Sequence, residues 1–377
     1  MFGSKAVVGL DIGSNKVKAV QIRRKGQKFE LERLGVAEIF PDGNRDVPSL
    51  QQARTNAVKR VLEEGKFTAK YCVISVNGES IIVRYIQLPK MPEDELKNAL
   101  RWEAEEYIPY ALDEVNIDSV ILGAAGDNKV DVLLVCAKKE LLAEYIQIVR
   151  DVNLTPLVVD VDSFAFLNCF ELTYNPTPQD CIALVNIGAQ TTNINIYSRG
   201  TSRFSRDISI AGDTITNAIC QKTGLDYKRA EEIKLLMGAP VADEKESTEE
   251  EESSLISSIR GTVERMTGTD LVDESLDANA TKAIKNVMTN LAGEIRRSIQ
   301  FFENQSGGLI VSKVILGGGS SRMNNITTYL SRELEVEVQL FDPLRSVQAA
   351  SNIDISLLQT YKEHLSVSLG LALRKAG

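Results

Sequence analysis

The chain reads as an α/β protein large enough for two domains, or for one double domain with a deep cleft. Three observations predict this. It has 377 residues and is 43% apolar, enough for two cores. Apolar strand-like runs alternate with helical patterns along its length. One theme, an apolar strand, a polar break with glycine and a second strand, occurs twice, in VVGLDIGSNKVKAV at 7–20 and CIALVNIGAQTTNINIYSRG at 181–200.

Taken in order, strands are predicted at 6–10, 16–22 and 29–37. A helix follows at 50–64, with Ala53, Ala57, Val58, Val61 and Leu62 at helical spacing. YCVISVNG and SIIVRYIQLP look like a further paired set of strands. A helix is expected to begin at Pro92-Glu93-Asp94, where acids suit the first turn, to repeat through Leu96, Leu100, Ala104 and Tyr107, and to stop at Pro109. Strands at 115–122 and 130–137 and a helix at 139–150 complete a small α/β insertion over roughly 88–152. Its aromatic cluster, Trp102, Tyr107 and Tyr110, reads first as core and second as a partner surface. PLVVDVDSFAFLNCF is a strand running into a helix. AGDTITNAICQKTG opens another helix, and DYKRAEEIKLLMG is a short one with Ala230, Ile233, Leu236 and Met237 inward. The run from 241 to 252 carries seven acids and one lysine and reads as a solvated loop or helix extension. A long amphipathic helix is expected at 274–304. VSKVILGGGSSRMNNITTYLSREL then reads as strand, glycine loop and helix.

Composition excludes several classes. The net charge is -9 and no basic stripe stands out, which argues against nucleic acid. The five cysteines, at 72, 136, 169, 181 and 220, form no CxxC pair and read as small buried hydrophobes in a reducing compartment. A catalytic triad or a His-ligated metal would rest entirely on the one histidine, His364, which lies in the apolar run HLSVSLGLALRKAG. The opening MFGSKAVVGLD turns polar too soon for a signal peptide, and no apolar run is long enough to span a bilayer. A cytoplasmic location is the expectation.

Asp11 poses a local question, because an apolar strand does not bury a carboxylate without a partner. It reads either as part of a hairpin or as the acid of a phosphate cradle, where converging backbone N–H groups hold an anion beside a metal ion. Three glycine turns, at 11–16, 186–192 and 317–320, each follow an apolar strand. Together they resemble the phosphate-1, phosphate-2 and adenosine motifs of the actin-like ATPase superfamily, which includes FtsA. The resemblance implies an actin-like, ribonuclease-H-like two-lobed fold around an ATP site. It implies that Gly13, Ser14, Asn15, Lys16 and Lys18 lie along the β- and γ-phosphates and that Asp11 holds Mg²⁺ through water. Gly188, Ala189, Gln190, Thr191 and Thr192 would cradle the phosphates from the other lobe. Gly318, Gly319, Ser320, Arg322 and Met323 would serve the adenosine, and Glu231 and Lys234 the ribose hydroxyls. Gly212 and Asp213 fall in the same nucleotide-binding set.

A narrower resemblance rests on GESIIVRYIQLPKMPEDELKNALRWEAEEYIPYALDEV, GEIRRSIQFFENQ, LGGGSSRM and the closing SLGLALRKAG. These are similar to the PilM family of type IV pilus assembly proteins, relatives of FtsA, over roughly residues 5–375. That resemblance implies lobe 1 at 1–87 and 153–180, an FtsA-type inserted subdomain at 88–152, lobe 2 at 181–214 and 307–349 with a subdomain at 215–306, and a return to lobe 1 at 350–377. It also implies binding of the N-terminal tail of the membrane protein PilN in a groove on lobe 1, alongside PilO, with pilus motor ATPases as further partners. Trp102, Tyr107, Ile108 and Tyr110 are candidate groove residues. Two departures matter. Asn186 stands where FtsA has an acid, so it offers a metal only a weak neutral ligand, and water orientation would fall to Asp162. The chain also stops without FtsA's amphipathic membrane helix, so membrane recruitment is expected through the partner. ATP binding with slow or absent hydrolysis follows. The alternatives are a self-associating filament protein and a small-molecule kinase with Asp160 or Asp162 as base.

Overall fold

The computed structural model describes residues 6–376 except 27, 93, 94, 96–98, 101–104, 106, 107, 127 and 241–273. The acidic run, Trp102 and Tyr107, and most of the helix expected from Pro92, lie outside the described residues.

Two sheets share one plan. The first has the order β14-β3-β2-β1-β4-β8, from β1 (Val7–Ile12), β2 (Lys16–Lys25), β3 (Lys28–Glu38), β4 (Tyr71–Val76), β8 (Thr155–Val161) and β14 (Val347–Ala349). The second has the order β11-β10-β9-β12-β13, from β9 (Cys181–Ile187), β10 (Thr192–Ser198), β11 (Thr201–Ile208), β12 (Lys313–Gly317) and β13 (Glu337–Leu340). In each, three sequential strands form an antiparallel meander whose first strand pairs in parallel with a later one: β1 with β4, and β9 with β12. The duplication suggested by the two strand–turn–strand stretches is therefore a duplication of topology.

Parallel pairs need crossovers, and helices supply them. In lobe 1, α1 (Leu50–Glu64) buries Ala57, Val58 and Val61 against the outer face of the sheet, and Ser49 caps its first turn through Gln52 N–H at 3.2 Å. α2 (Lys139–Asp151) packs on the same face through Tyr145, Ile148 and Val149. Between the two sheets run α3 (Asp162–Tyr174) and α9 (Ser366–Ala376). Phe166 and Phe170 of α3 are fully buried there, worth roughly 2–3 kcal/mol each, and Asn175 ends the helix in the left-handed conformation. Lobe 2 is covered by α4 (Gly212–Thr223), α5 (Tyr227–Met237), α6 (Glu274–Gln305) and α7 (Ile326–Leu334), whose apolar faces join one core with β9, β10 and β12. A short α8 (Ile355–Tyr361) leads back toward lobe 1.

The third sheet, β5-β7-β6, comprises β5 (Ile81–Pro89), β6 (Val115–Ala124) and β7 (Lys129–Lys138) and has its own core around Ile82, Leu88, Val132 and Leu134. Two expectations change here. β4 and β5 do not pair: Asn77-Gly78 reads as a hairpin tip, but the chain leaves the lobe 1 sheet there and joins β7. The separate sheet thus spans 81–138 rather than 88–152, because α2 buries its apolar face in lobe 1. Ile108 belongs to this small core. Tyr110 packs against it, under Lys138 Nζ at 4.1 Å.

Candidate functional site

The two meanders place two equivalent turns. Gly13 N–H donates to Lys16 O at 3.2 Å after β1, and Gly188 N–H donates to Thr191 O at 3.0 Å after β9. Each turn is four residues long because the hairpin must reverse at once. β12 ends in the third turn, where Gly319–Arg322 forms a single 3-10 turn. All three turns line one cavity of about 360 Å³ between the lobes. Asp11, Gly13, Ser14, Asn15, Lys16 and Lys18 reach it from lobe 1. Asn186, Gly188, Ala189, Gln190, Thr191, Asp213, Glu231, Lys234, Gly318, Gly319, Ser320 and Arg322 reach it from lobe 2.

Three residues of the expected set stand elsewhere. Thr192 begins β10 with its side chain turned from the cavity, donating to Ile210 O at 2.8 Å. Met323 is buried in the lobe 2 core. Gly212 lies beneath the cavity, where its N–H donates to Gly188 O at 3.1 Å. Ser320 Oγ also donates to Gly188 O, at 3.2 Å, so the second and third turns and the start of α4 form one unit.

The buried Asp11 has its partner. Register puts Lys18 opposite Asp11 across β1 and β2, and Lys18 Nζ lies 2.7 Å from its carboxylate. Lys16 pairs with Glu38 at 2.6 Å. Asp162 opens α3 on the cavity wall, accepting from Ser75 Oγ at 2.5 Å and from Asn77 Nδ2. Burial, reinforced by Asp11, pushes its carboxyl up to about 7, against the two donors and Lys18. Asp160, two residues earlier, is not available as a base: Arg374 holds both its oxygens at 2.6 and 3.0 Å.

Because Asp162 binds its proton more tightly folded than unfolded, its protonated form stabilises the fold below pH 4. That contribution is lost as pH rises through about 7. Asp162→Asn is expected to flatten the decline in unfolding free energy between pH 4 and 7, a difference on the order of 4 kcal/mol across that window. Urea denaturation of both proteins across that range checks it; parallel pH profiles would contradict it.

Asn186 does not stand alone. Its Nδ2 donates to Asn193 Oδ1 at 2.9 Å, Asn193 Nδ2 donates to Asp207 Oδ1 at 2.8 Å, and Asp207 Oδ2 accepts from Gly78 N–H at 2.7 Å. This line of polar contacts runs from the second turn to the entry of the inserted sheet. Desolvation raises the Asp207 carboxyl above its ordinary range.

The residues that sequence reasoning missed tie the lobes across the cavity mouth. Arg45, in the loop between β3 and α1, pairs with Asp213 of lobe 2 at 2.9 Å and bonds Asn15 Oδ1. Its guanidinium lies 4.0 Å from the centre of the Tyr227 ring. Tyr227 Oη donates to Asp213 at 2.6 Å and accepts from Asn15 at 2.9 Å. On α5, Lys234 rather than Leu236 is buried. It contacts Glu231 at 2.6 Å and Thr216 Oγ1 at 3.1 Å, and burial lowers its ammonium pKa against the pull of Glu231. His364 also lines the cavity, beneath Gly319, where desolvation and then Lys18 and Lys16 push it down to about 3; it is neutral at physiological pH.

The chain matches a model of type IV pilus assembly protein PilM over residues 9–263 and a model of cell division protein FtsA over residues 183–356. Among curated proteins it is 24% identical over 229 residues to the cell division protein FtsA of Buchnera aphidicola subsp. Baizongia pistaciae, covering 59% of this chain and 51% of that one. It is 26% identical over 262 residues to the FtsA of Staphylococcus epidermidis, covering 60% and 53%. The chain thus spans about half the length of these curated relatives. Among solved structures it is similar to a PilM-PilN type IV pilus biogenesis complex, with 26% identity, a TM-score of 0.78 and 98% of both chains covered. It also shares a fold with the ethanolamine utilization protein EutJ from Carboxydothermus hydrogenoformans, at 14% identity and a TM-score of 0.50, covering 98% of this chain and 89% of that one. The fold is the two-lobed actin-like one, and the chain belongs to the PilM family of type IV pilus assembly proteins.

Proposed function

We propose that this protein is a nucleotide-binding scaffold of the type IV pilus assembly platform, in which Mg·ATP sets the geometry of a surface that holds the N-terminal tail of PilN. One observation carries the reading: three glycine turns, each at a strand end, line a single cavity with lysines on one side and buried carboxylates beside them. The residues fit the ligand. A Cβ on Gly13 would stand 2.9 Å from Lys16 O and 3.0 Å from Lys18 Nζ, so the first turn leaves its open face to a bound anion. Lys16, Lys18 and Arg45 supply charge for a triphosphate. Among the described residues no group of three or more His, Cys, Asp or Glu could hold a metal ion. Mg²⁺ would therefore arrive with the nucleotide and be held through water by Asp11. When bound, it would neutralise phosphate charge.

Hydrolysis is slow or absent in this reading, because Asn186 brings no charge to a metal or an attacking water. The polar line Asn186–Asn193–Asp207–Gly78 supports coupling between nucleotide and partner, because it joins the second turn to the inserted sheet. No helix among the described residues is long and apolar enough to cross a membrane, so association with the membrane would follow from the PilN tail. PilO and the pilus motor ATPases would be reached through the same platform. Calorimetric titration with Mg·ATP tests the site: one site per chain is expected, with a Kd on the order of micromolar or tighter, weakened in Lys16→Ala. Absence of binding would overturn the reading.

A further inference from the structure

A second, larger cavity of about 1130 Å³ lies apart from the nucleotide site, where the inserted sheet meets lobe 2. Its walls are β5, β11 and the last turns of α6. β5 and β11 are both edge strands, and no main-chain ladder joins them among the described residues. Side chains bridge the two sheets instead: Tyr85 Oη of β5 lies 2.5 Å from Ser202 Oγ, and Arg203 of β11 pairs with Asp131 of β7 at 2.8 Å.

The walls carry five arginines, Arg84, Arg199, Arg203, Arg206 and Arg297. Among the described residues two carboxylates answer them. Asp131 takes Arg203, while Glu294 is shared by Arg206 and Arg297. Five against two leaves a surplus of three positive charges, on a chain whose net charge is -9. Among the described residues Arg84 reaches only the carbonyl of Val83, and no acid pairs with Arg199. At the rim Phe301 is 53% exposed, its ring 5.9 Å from that of Phe204. An exposed aromatic beside unanswered guanidinium groups is the composition of a protein interface.

The geometry points to a docking groove for an extended acidic segment of a partner protein, its carboxylates on Arg84 and Arg199 and one apolar side chain on Phe301. The two strand edges favour an extended main chain, which can use their outward N–H and C=O groups. The concave walls exclude a flat bilayer surface. The groove is distinct from the nucleotide cavity, and the inference stands whether or not nucleotide binds.

The test uses the full chain and a short fluorescein-labelled peptide of alternating Glu and Leu, with its Lys–Leu counterpart. The acidic peptide is expected to bind, to weaken as salt is raised, and to lose about tenfold or more in affinity in Arg84→Glu/Arg199→Glu. The same variant should gain affinity for the Lys–Leu peptide while Mg·ATP binding is unchanged. Phe301→Ala should weaken the acidic peptide with little change in its salt dependence. No binding, equal binding of both peptides, or indifference to the charge reversal would overturn the proposal. So would arginine-dependent capture of phosphatidylglycerol vesicles without peptide binding, which would assign the surface to lipid.

Discussion

Gly318→Ala is expected to weaken Mg·ATP binding about a hundredfold, equivalent to ~2.7 kcal/mol, from strain of about 1–3 kcal/mol and displacement of the turn. Gly318 has φ 91 and ψ 166, a region that only glycine occupies readily. An added Cβ would stand 2.4 Å from Ile187 O and 2.7 Å from Asn186 Oδ1. Both belong to the second turn, so relief must push the third turn away from it. Gly318 N–H also donates to Glu363 O at 3.2 Å, which ties the third turn to the segment carrying His364. The displacement would thus open the cavity at two walls. Calorimetry of wild type and variant reads the loss. Unchanged affinity would show that the third turn does not contact the nucleotide.

The largest effect on stability is expected at Gly370. It lies on α9 where that helix crosses α3, and a Cβ there would be 1.7 Å from Ala165 O. On the other side of α9, a Cβ on Gly9 of β1 would be 2.0 Å from Ser368 O. The helix is wedged between two backbones and cannot move away from either. Gly370→Val is expected to cost more than about 4 kcal/mol, the range reserved for severe core disruption. Gly370→Ala should show the same sign with a smaller loss. Gly126→Ala separates clash from conformation: its φ is +75 but nothing lies within 4 Å, so it should cost only about 1–2 kcal/mol. Urea denaturation ranks the three, and a Gly370→Ala protein as stable as wild type would contradict the wedge.

The parts of the site legible in the sequence are those where strand and turn chemistry coincide. Gly13 and Gly188 could be placed because an apolar strand ending in a four-residue polar break has few ways to reverse. The pairing of Lys18 with Asp11 is not legible in the sequence, where the resemblance has Lys18 along the phosphates and Asp11 on the metal; the register of β1 and β2 brings them together. What stayed hidden depends on long-range contacts. Arg45 lies in PDGNRDVPS, a loop with no periodicity, and its partners Asp213 and Tyr227 are on the other lobe. The resemblance implies Lys234 as a ribose contact beside Glu231, but its burial, satisfied by Glu231 and Thr216, shows only in the fold. The resemblance places Thr192 with its neighbours in the second turn, but β10 begins at that residue and turns its side chain away. β5 reads as the partner of β4 because Asn77-Gly78 suits a hairpin, and only the pairing with β7 shows the chain changing sheets.

In the proposed scaffold nucleotide state sets partner affinity, which requires a groove that differs between the two states. Titrating a synthetic peptide of the PilN N-terminal tail from the same organism into the protein, first nucleotide-free and then saturated with Mg·ATP, tests it most directly. Binding is expected in both cases, with affinities that differ by about fivefold or more. The Asp207→Asn protein, which breaks the polar line at its charged member, should reduce that difference. Equal affinities would leave the nucleotide without influence on the partner surface, and no binding in either state would contradict the scaffold function itself.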